Sequence, residues 1–294
     1  MTSEGNPPEE DMAIRQVTNR IFASVDYTGA NVACIRTEAG LVLIDTPMIR
    51  REIDHWHAFI EDLDPDGPRY VILTHHHFDH ITGLDRLGGP AIMHETARDE
   101  MMEPGGTLRE SMVPVYPGLG EEDAAFILGQ PLVQPEIVFP DRMRLVLGGL
   151  TIRIFHTGGH TPGSIAVYVE EDRVLLTGDN VTAGRHPFKG QADFSQWIRA
   201  LRLMGDIDVA SVVPGHGDLC GKDEIERMTE YFVRLYLLTE NLVGQGLARK
   251  DVIEIVREKM IDFFEMEPGL VEAGRLMFDV GTERLYREVL GRGS

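Results

Sequence analysis

Thr74-His75-His76-His77-Phe78-Asp79-His80 is the stretch on which the reading of this chain turns. It follows Arg69-Tyr-Val-Ile-Leu-Thr74, a run with the composition of a buried strand. Four imidazoles and a carboxylate cannot be buried unpaired, so the strand must end here and release them into a loop. Read as H-x-H-x-D-H, the loop offers three imidazole nitrogens and one carboxylate within six residues. That donor set suits a borderline divalent ion such as Zn²⁺, or Fe or Mn where carboxylate takes part. By itself it leaves two readings open, a metal site or a histidine-rich loop without one.

Three further fragments bear on that choice. Gly158-Gly-His160-Thr-Pro-Gly-Ser164 sets a histidine in a tight turn just before a strand. Thr177-Gly-Asp179 sets a carboxylate just after one, and Pro214-Gly-His216-Gly does the same for a histidine. Each polar residue stands at a strand boundary beside glycine, which allows sharp turns and close backbone approach. The ends of several strands then converge on one edge, where open sheets place their active sites.

Outward from these fragments the chain reads as mixed α and β. Strands are expected at 20–26, 31–36, 41–45, 69–74, 91–94, 144–147, 150–155, 164–169, 173–177 and 209–213. In residues 50–63, Ile53, Trp56, Phe59, Ile60 and Leu63 share a helical face, and Pro65 follows. Residues 103–135, rich in Pro and Gly, read as an irregular insertion and a candidate lid. A helix is expected at 194–204 and, past Lys222, helices with Met228, Tyr231, Phe232, Leu235 and Leu238 at helical spacing, then at 249–262 and 270–290. The expected organisation is a disordered tail at 1–12, a catalytic domain at 13–221 and a helical C-terminal extension at 222–294 packed on the core.

Composition sets limits. Hydrophobic residues at 43% and charged residues at 26% of 294 exclude wholesale disorder and a coiled coil. A net charge of −20 repels phosphate backbones and anionic lipid, so neither nucleic acid nor a membrane is an expected partner. Two cysteines, Cys34 and Cys220, cannot build a disulfide framework. With no secretory signal or membrane-spanning stretch legible, a cytoplasmic protein is expected. A homodimer is left open.

The ordered series Leu43-Ile-Asp45, the histidine loop, and the fragments at His160, Asp179 and His216 resembles the metallo-β-lactamase-fold superfamily, over roughly residues 18–220. The resemblance implies an α+β architecture, an αββα four-layer sandwich with a dinuclear metal site at one edge. It implies His75, His77 and His160 at one metal, Asp79, His80 and His216 at the other, and Asp179 bridging both. Asp45 matches the family's strand-end aspartate that supports the histidine loop. Thr74 and Ser164 are weaker supporting candidates, since a ligating imidazole needs its second nitrogen held. His76 receives no metal role.

The implied function is a dinuclear metal-dependent hydrolase, with two divalent ions, Zn²⁺ first and Fe or Mn as alternatives. Hydroxide generated between the ions attacks a small ester, thioester or lactone while catalytic Asp79 relays a proton. Met48, Phe78, Asn180, His186 and Phe188 flank the motifs and are candidates to line the substrate pocket. The alternatives are a mononuclear iron persulfide dioxygenase of the same fold and a β-lactamase-like activity. Zinc β-lactamases usually carry Cys or Ser where Asp179 stands. Quorum-sensing lactonases often carry Tyr where Thr182 stands. Of the remaining histidines, His55 and His57 are expected at a solvated surface, and His94 and His156 in structural roles.

Overall fold

Strand burial in the computed structural model follows from composition. Ile165–Val169 is apolar throughout and buried throughout, as a central strand must be, whereas Arg142–Leu147 alternates exposure, with Arg142, Arg144 and Val146 facing outward. The structure describes residues 12–266 and 271–292. Residues 1–11 of the expected tail therefore lie outside the described residues. Met12, its last residue, is buried against the core instead.

Two sheets form. The first holds seven strands in sequential order: β1 (Ile14–Gln16), β2 (Ile21–Ser24), β3 (Val32–Thr37), β4 (Gly40–Ile44), β5 (Pro68–Ile72), β6 (Ala91–His94) and β7 (Ile137–Phe139). Pairing is antiparallel from β1 to β4 and parallel from β4 to β7. The second sheet comprises β8 (Arg142–Leu147), β9 (Leu150–His156), β10 (Ile165–Val169), β11 (Val174–Leu176) and β12 (Ser211–Val213), in the order β12-β11-β10-β9-β8. β11 and β12 run parallel.

The helices are α1 (Arg50–Leu63), α2 (Phe78–Ile81), α3 (Leu84–Leu87), α4 (Glu95–Met102), α5 (Arg109–Met112), α6 (Glu121–Gly129), α7 (Phe194–Gly205), α8 (Lys222–Gly244), α9 (Arg249–Met260) and α10 (Val271–Arg292). None of the described helices is long and apolar enough to cross a membrane.

Packing makes four layers. Ile35, Val42, Ile44 and Ile72 of the first sheet meet Ile152, Ile154, Val167 and Leu176 of the second. Ile53, Trp56 and Ile60 of α1 cover the first sheet's outer face through Leu43 and Val71. On the opposite side Trp197 and Leu201 of α7, Tyr231, Phe232 and Leu235 of α8, Val256 of α9 and Phe278 of α10 join one cluster with Ala166, Leu175 and Val212. The fold is the α+β αββα sandwich expected from the motif order.

Two local readings change. Residues 103–135 are not irregular throughout: they carry α5, a 3₁₀ turn at Val113–Val115 and α6. Val113 and Ile127 there bury against Met48, Ile49 and Phe78, apolar anchorage that a Pro/Gly count does not reveal. The histidine stretch is a loop only as far as His77. That residue precedes α2, whose four residues are all buried and include Asp79 and His80.

Candidate metal centre

The ends of β4, β5, β11 and β12, and the turn between β9 and β10, bring Asp45, the histidine loop, His160, Asp179 and His216 together. The turns tolerate little else. A Cβ on Gly215 would lie 2.0 Å from Asp179 Oδ1, and one on Gly178 (φ +49°) would lie 2.7 Å from Thr74 Oγ1. Only glycine lets these strand ends close on one another.

Hydrogen bonds settle which nitrogen of each ring carries its proton. Asp45, in the left-handed region at φ 57°, turns its carboxylate under the histidine loop. It accepts from Thr74 N (2.7 Å), Thr74 Oγ1 (2.7 Å) and His80 Nδ1 (2.8 Å). Because the Thr74 hydroxyl donates to Asp45, it accepts from His75 Nδ1 at 3.1 Å. His160 Nδ1 donates to the Phe188 carbonyl (3.1 Å), and His77 Nε2 donates to Gln191 Oε1 (2.7 Å). The second nitrogen of each ring turns inward, and on His75, His77 and His160 it is left a bare lone pair.

The inward atoms form two groups. His75 Nε2 and His160 Nε2 each lie 3.0 Å from His77 Nδ1, with Asp179 Oδ2 3.5 Å from His160 Nε2 and 4.0 Å from His75 Nε2. In the second group His216 Nε2 lies 3.3 Å from Asp79 Oδ2 and 3.4 Å from Asp179 Oδ1, while His80 Nε2 lies 3.1 Å from Asp179 Oδ1. Asp179 thus offers one oxygen to each group. Lone pairs facing each other at 3.0 Å repel unless a cation lies between them. Donors about 2.0–2.1 Å from a tetrahedral ion stand roughly 3.3 Å apart, close to the spacing here. His80 Nε2 and Asp179 Oδ1 are buried and form no hydrogen bond despite their approach. The donor set fits divalent metal ions.

Charge agrees. Burial lowers His75 well below the ordinary imidazole range, His77 to about 4 and His160 to about 3, so all three rings are neutral at pH 7. Burial would raise Asp179, but His216, His80 and His160 outweigh it and hold the carboxyl well below its usual range. Burial likewise opposes charge on His216, yet Asp179 and Asp79 push it up to about 9. His80 is raised by the same carboxylates and Asp45. Positive charge is what this carboxylate set demands.

A cavity of about 360 Å³ opens onto His77, Asp79, Asp179 and His216. Phe78, Leu108, Met112 and Tyr116 form one wall, and Phe188, Met277 and Phe278 another. Three of the expected pocket residues, Phe78, His186 and Phe188, do line it. Met48 does not, being fully buried beneath the wall with Ile49 and Val113. Asn180 does not either. It accepts from His160 N, donates to Thr157 Oγ1 and accepts from Trp197 Nε1 through its carbonyl, pinning the His160 turn. Ser164, expected to hold an imidazole, closes that turn by accepting from Thr161 N. Thr74 and Asp45 do contact ligating rings. His55, expected in solvent, bonds Tyr27 Oη at 2.8 Å. His94 and His156 bond the carbonyls of Pro140 and Pro162.

Sequence reading missed Gln191 and the Phe188 carbonyl, which hold His77 and His160. No motif marks them, because a backbone oxygen and a lone amide acquire the role only through folding.

Residues 25–216 match the family described as the Metallo-beta-lactamase superfamily. The human protein named acyl-coenzyme A thioesterase MBLAC2 is 26% identical over 221 residues, covering 69% of this chain and 78% of that protein. A beta-lactamase-like protein 2 homolog from Caenorhabditis elegans is 23% identical over 206 residues, covering 69% of this chain and 60% of its own length. Among solved structures, the sec-alkylsulfatase Pisa1 from Pseudomonas sp. superposes with a TM-score of 0.72 at 17% identity, over 95% of this chain and 50% of that one. A metallo-beta-lactamase from Pontibacter korlensis gives 0.60 at 19% identity, over 76% and 99%. The chain thus spans about three-fifths of the nematode relative and half of the alkylsulfatase, and the structural likenesses speak to fold alone. Matched by the family over residues 25–216 and sharing the sandwich, this chain belongs to the metallo-beta-lactamase superfamily.

Proposed function

We propose that this enzyme is a dinuclear metal-dependent hydrolase of small carbonyl electrophiles, among which thioesters are the first class to test, ahead of esters and lactones. The observation that carries the reading is the convergence of seven inward donors, in two groups sharing Asp179, on the floor of an apolar-walled cavity. His75, His77 and His160 would hold one ion, Asp79, His80 and His216 the other. Zinc suits this imidazole-rich set, and iron or manganese would also be accepted. Divalent ions held there supply Lewis acidity at the carbonyl and bring a water's pKa toward neutrality.

The chain's own groups do the rest. Asp179, ionised under three imidazoles, keeps the two groups in one electrostatic unit. Asp79 faces the cavity with Oδ2 against His216 Nε2, placed to receive a proton and pass it to the departing sulfur or oxygen. The bond between carbonyl carbon and leaving atom breaks as the carbon–oxygen bond from water forms, and the leaving group departs protonated. Phe78, Met112, Tyr116, Phe188 and Met277 offer an apolar acyl group a dry surface. The relatives named as acyl-coenzyme A thioesterases favour a thioester over its oxygen counterparts.

Metal analysis of the purified protein, followed by hydrolysis assays on thioester, ester, lactone and β-lactam substrates, tests the reading. Two metal equivalents and thioester turnover are expected, and His77→Ala and Asp179→Ala should each abolish most of both. Full turnover in both variants would overturn it. Oxygen consumption with a persulfide and iron, in place of hydrolysis, would instead establish the dioxygenase.

A further inference from the structure

Between Asp179 and the body of α7 runs a segment, residues 186–195, that ends in the first turn of that helix and touches the metal centre on one side and the C-terminal helices on the other. Toward the centre it contributes the Phe188 carbonyl to His160 Nδ1 and Gln191 Oε1 to His77 Nε2, at 3.1 and 2.7 Å. Gln191 also accepts from His76 Nε2 at 3.2 Å. The lone pairs of His77 and His160 point inward only while these two acceptors stay in place.

Toward the helices the same segment is tied on both flanks. Lys189, buried, donates from Nζ to the Pro187 carbonyl (3.1 Å) and to Tyr231 Oη of α8 (3.2 Å). Its ammonium lies 4.9 Å from the centre of the Phe278 ring of α10. His186 Nε2 donates to the Ile261 carbonyl at 2.8 Å, so its Nδ1 accepts from Tyr231 Oη at 3.1 Å. One phenol therefore joins two loop residues, accepting from Lys189 and donating to His186. On the far flank Arg284 Nε donates to the Ala192 carbonyl, and Glu288 accepts from Phe194 N, Ser195 N and Ser195 Oγ. α10 presses so close that a Cβ on Gly281 would lie 2.5 Å from Lys189 Cε.

We propose that Tyr231, acting through Lys189 and His186, is a positioning residue by which the C-terminal helices aim His77 and His160 into the metal centre. The proposal rests on the metal reading above. Its physical basis is connectivity: two acceptors that set imidazole orientation lie on the ten-residue span, 186–195, tied by Tyr231's contacts and Glu288's. Buried polar groups in that span are partnered in this arrangement through Tyr231 on one flank and Glu288 on the other, and those partners restrain the loop while the tyrosine hydroxyl remains. Loss of the hydroxyl leaves Lys189 and His186 each short of a partner, and the loop must shift to satisfy them.

The test uses the full chain. Tyr231→Phe and Lys189→Met are prepared beside wild type and Gln191→Ala, and zinc affinity is measured by chelator competition for each equivalent. Histidine ¹⁵N spectra of the metal-free proteins report tautomer and ring exchange. Tyr231→Phe and Lys189→Met are each expected to weaken one equivalent about 10- to 100-fold, leave the other within about twofold, and broaden the His77 and His160 signals. If Tyr231→Phe does not fold, Lys189→Met carries the same expectation. Gln191→Ala weakening one equivalent while Tyr231→Phe and Lys189→Met bind as wild type would overturn the proposal and leave the metal reading intact. Wild type taking up no zinc overturns the metal reading, and this proposal with it.

Discussion

Replacing Asp45 by asparagine tests the proton bookkeeping of the centre without touching a donor atom. The Asp45 carboxylate accepts three hydrogen bonds, two from Thr74 and one from His80 Nδ1, all within 2.8 Å. An amide of the same shape has one acceptor oxygen and one NH₂. The Thr74 backbone N–H cannot change its proton, so the amide oxygen must face it and the NH₂ must face His80. Nδ1 of His80 then has to accept, which confines the ring's proton to Nε2, 3.1 Å from Asp179 Oδ1. Metal binding would require the reverse shift, leaving two donors face to face in a buried site.

The expected effect is about 10- to 100-fold weaker binding of one equivalent, ~1.4–2.7 kcal/mol, with the other unaffected. Chelator competition reads the affinity, and ¹⁵N shifts of His80 read the tautomer. Asp45→Asn binding both equivalents as wild type, with His80 still protonated at Nδ1, would refute the reasoning.

Gly215→Ala places a Cβ 2.0 Å from Asp179 Oδ1 and should lower metal content and turnover by about tenfold or more; full metal retention in that variant would count against the shared role of Asp179. Burial lowers Lys189 to about 7 from an ordinary 10.5. The unfolded chain therefore binds the extra proton between those values, and stability relative to Lys189→Met should rise with pH across that window, by at most about 1.4 kcal/mol per unit. Urea titrations at pH 7 and pH 10 check it, and a wild-type-minus-variant stability that is constant or falls with pH would contradict it. Tyr116 packs edge-on against Phe78 and bonds the Thr28 carbonyl at 3.1 Å; Tyr116→Ala should raise KM for long-chain thioesters about tenfold with little change in kcat. Unchanged KM across acyl lengths would remove that residue from the substrate wall.

Much was legible before folding because the information is local. The helix at Arg50–Leu63 follows from a 3.6-residue apolar period ended by Pro65, and α7 and the C-terminal helices follow from similar spacing. β7, three residues long, carried too short a pattern to be read. The polar residues at strand ends announced themselves because charge cannot remain in a sheet interior, and glycine beside them marks close approach. Motif order is a property of the covalent chain, so the resemblance it carries could name seven candidate donors before folding.

What holds and aims those donors depends on distances between residues far apart in sequence. Gln191 meets His77 across 114 positions and the Tyr231 hydroxyl meets His186 across 45, contacts with no periodicity or motif to betray them. Met48 and Asn180 flank motifs yet point into the core, since adjacency along the chain does not decide the side a residue faces after a turn. The tautomers are likewise a tertiary matter: an imidazole can carry its proton on either nitrogen until Asp45, Thr74, Phe188 and Gln191 arrive to take one. Covalent order names the candidate donors, and packing decides where they point.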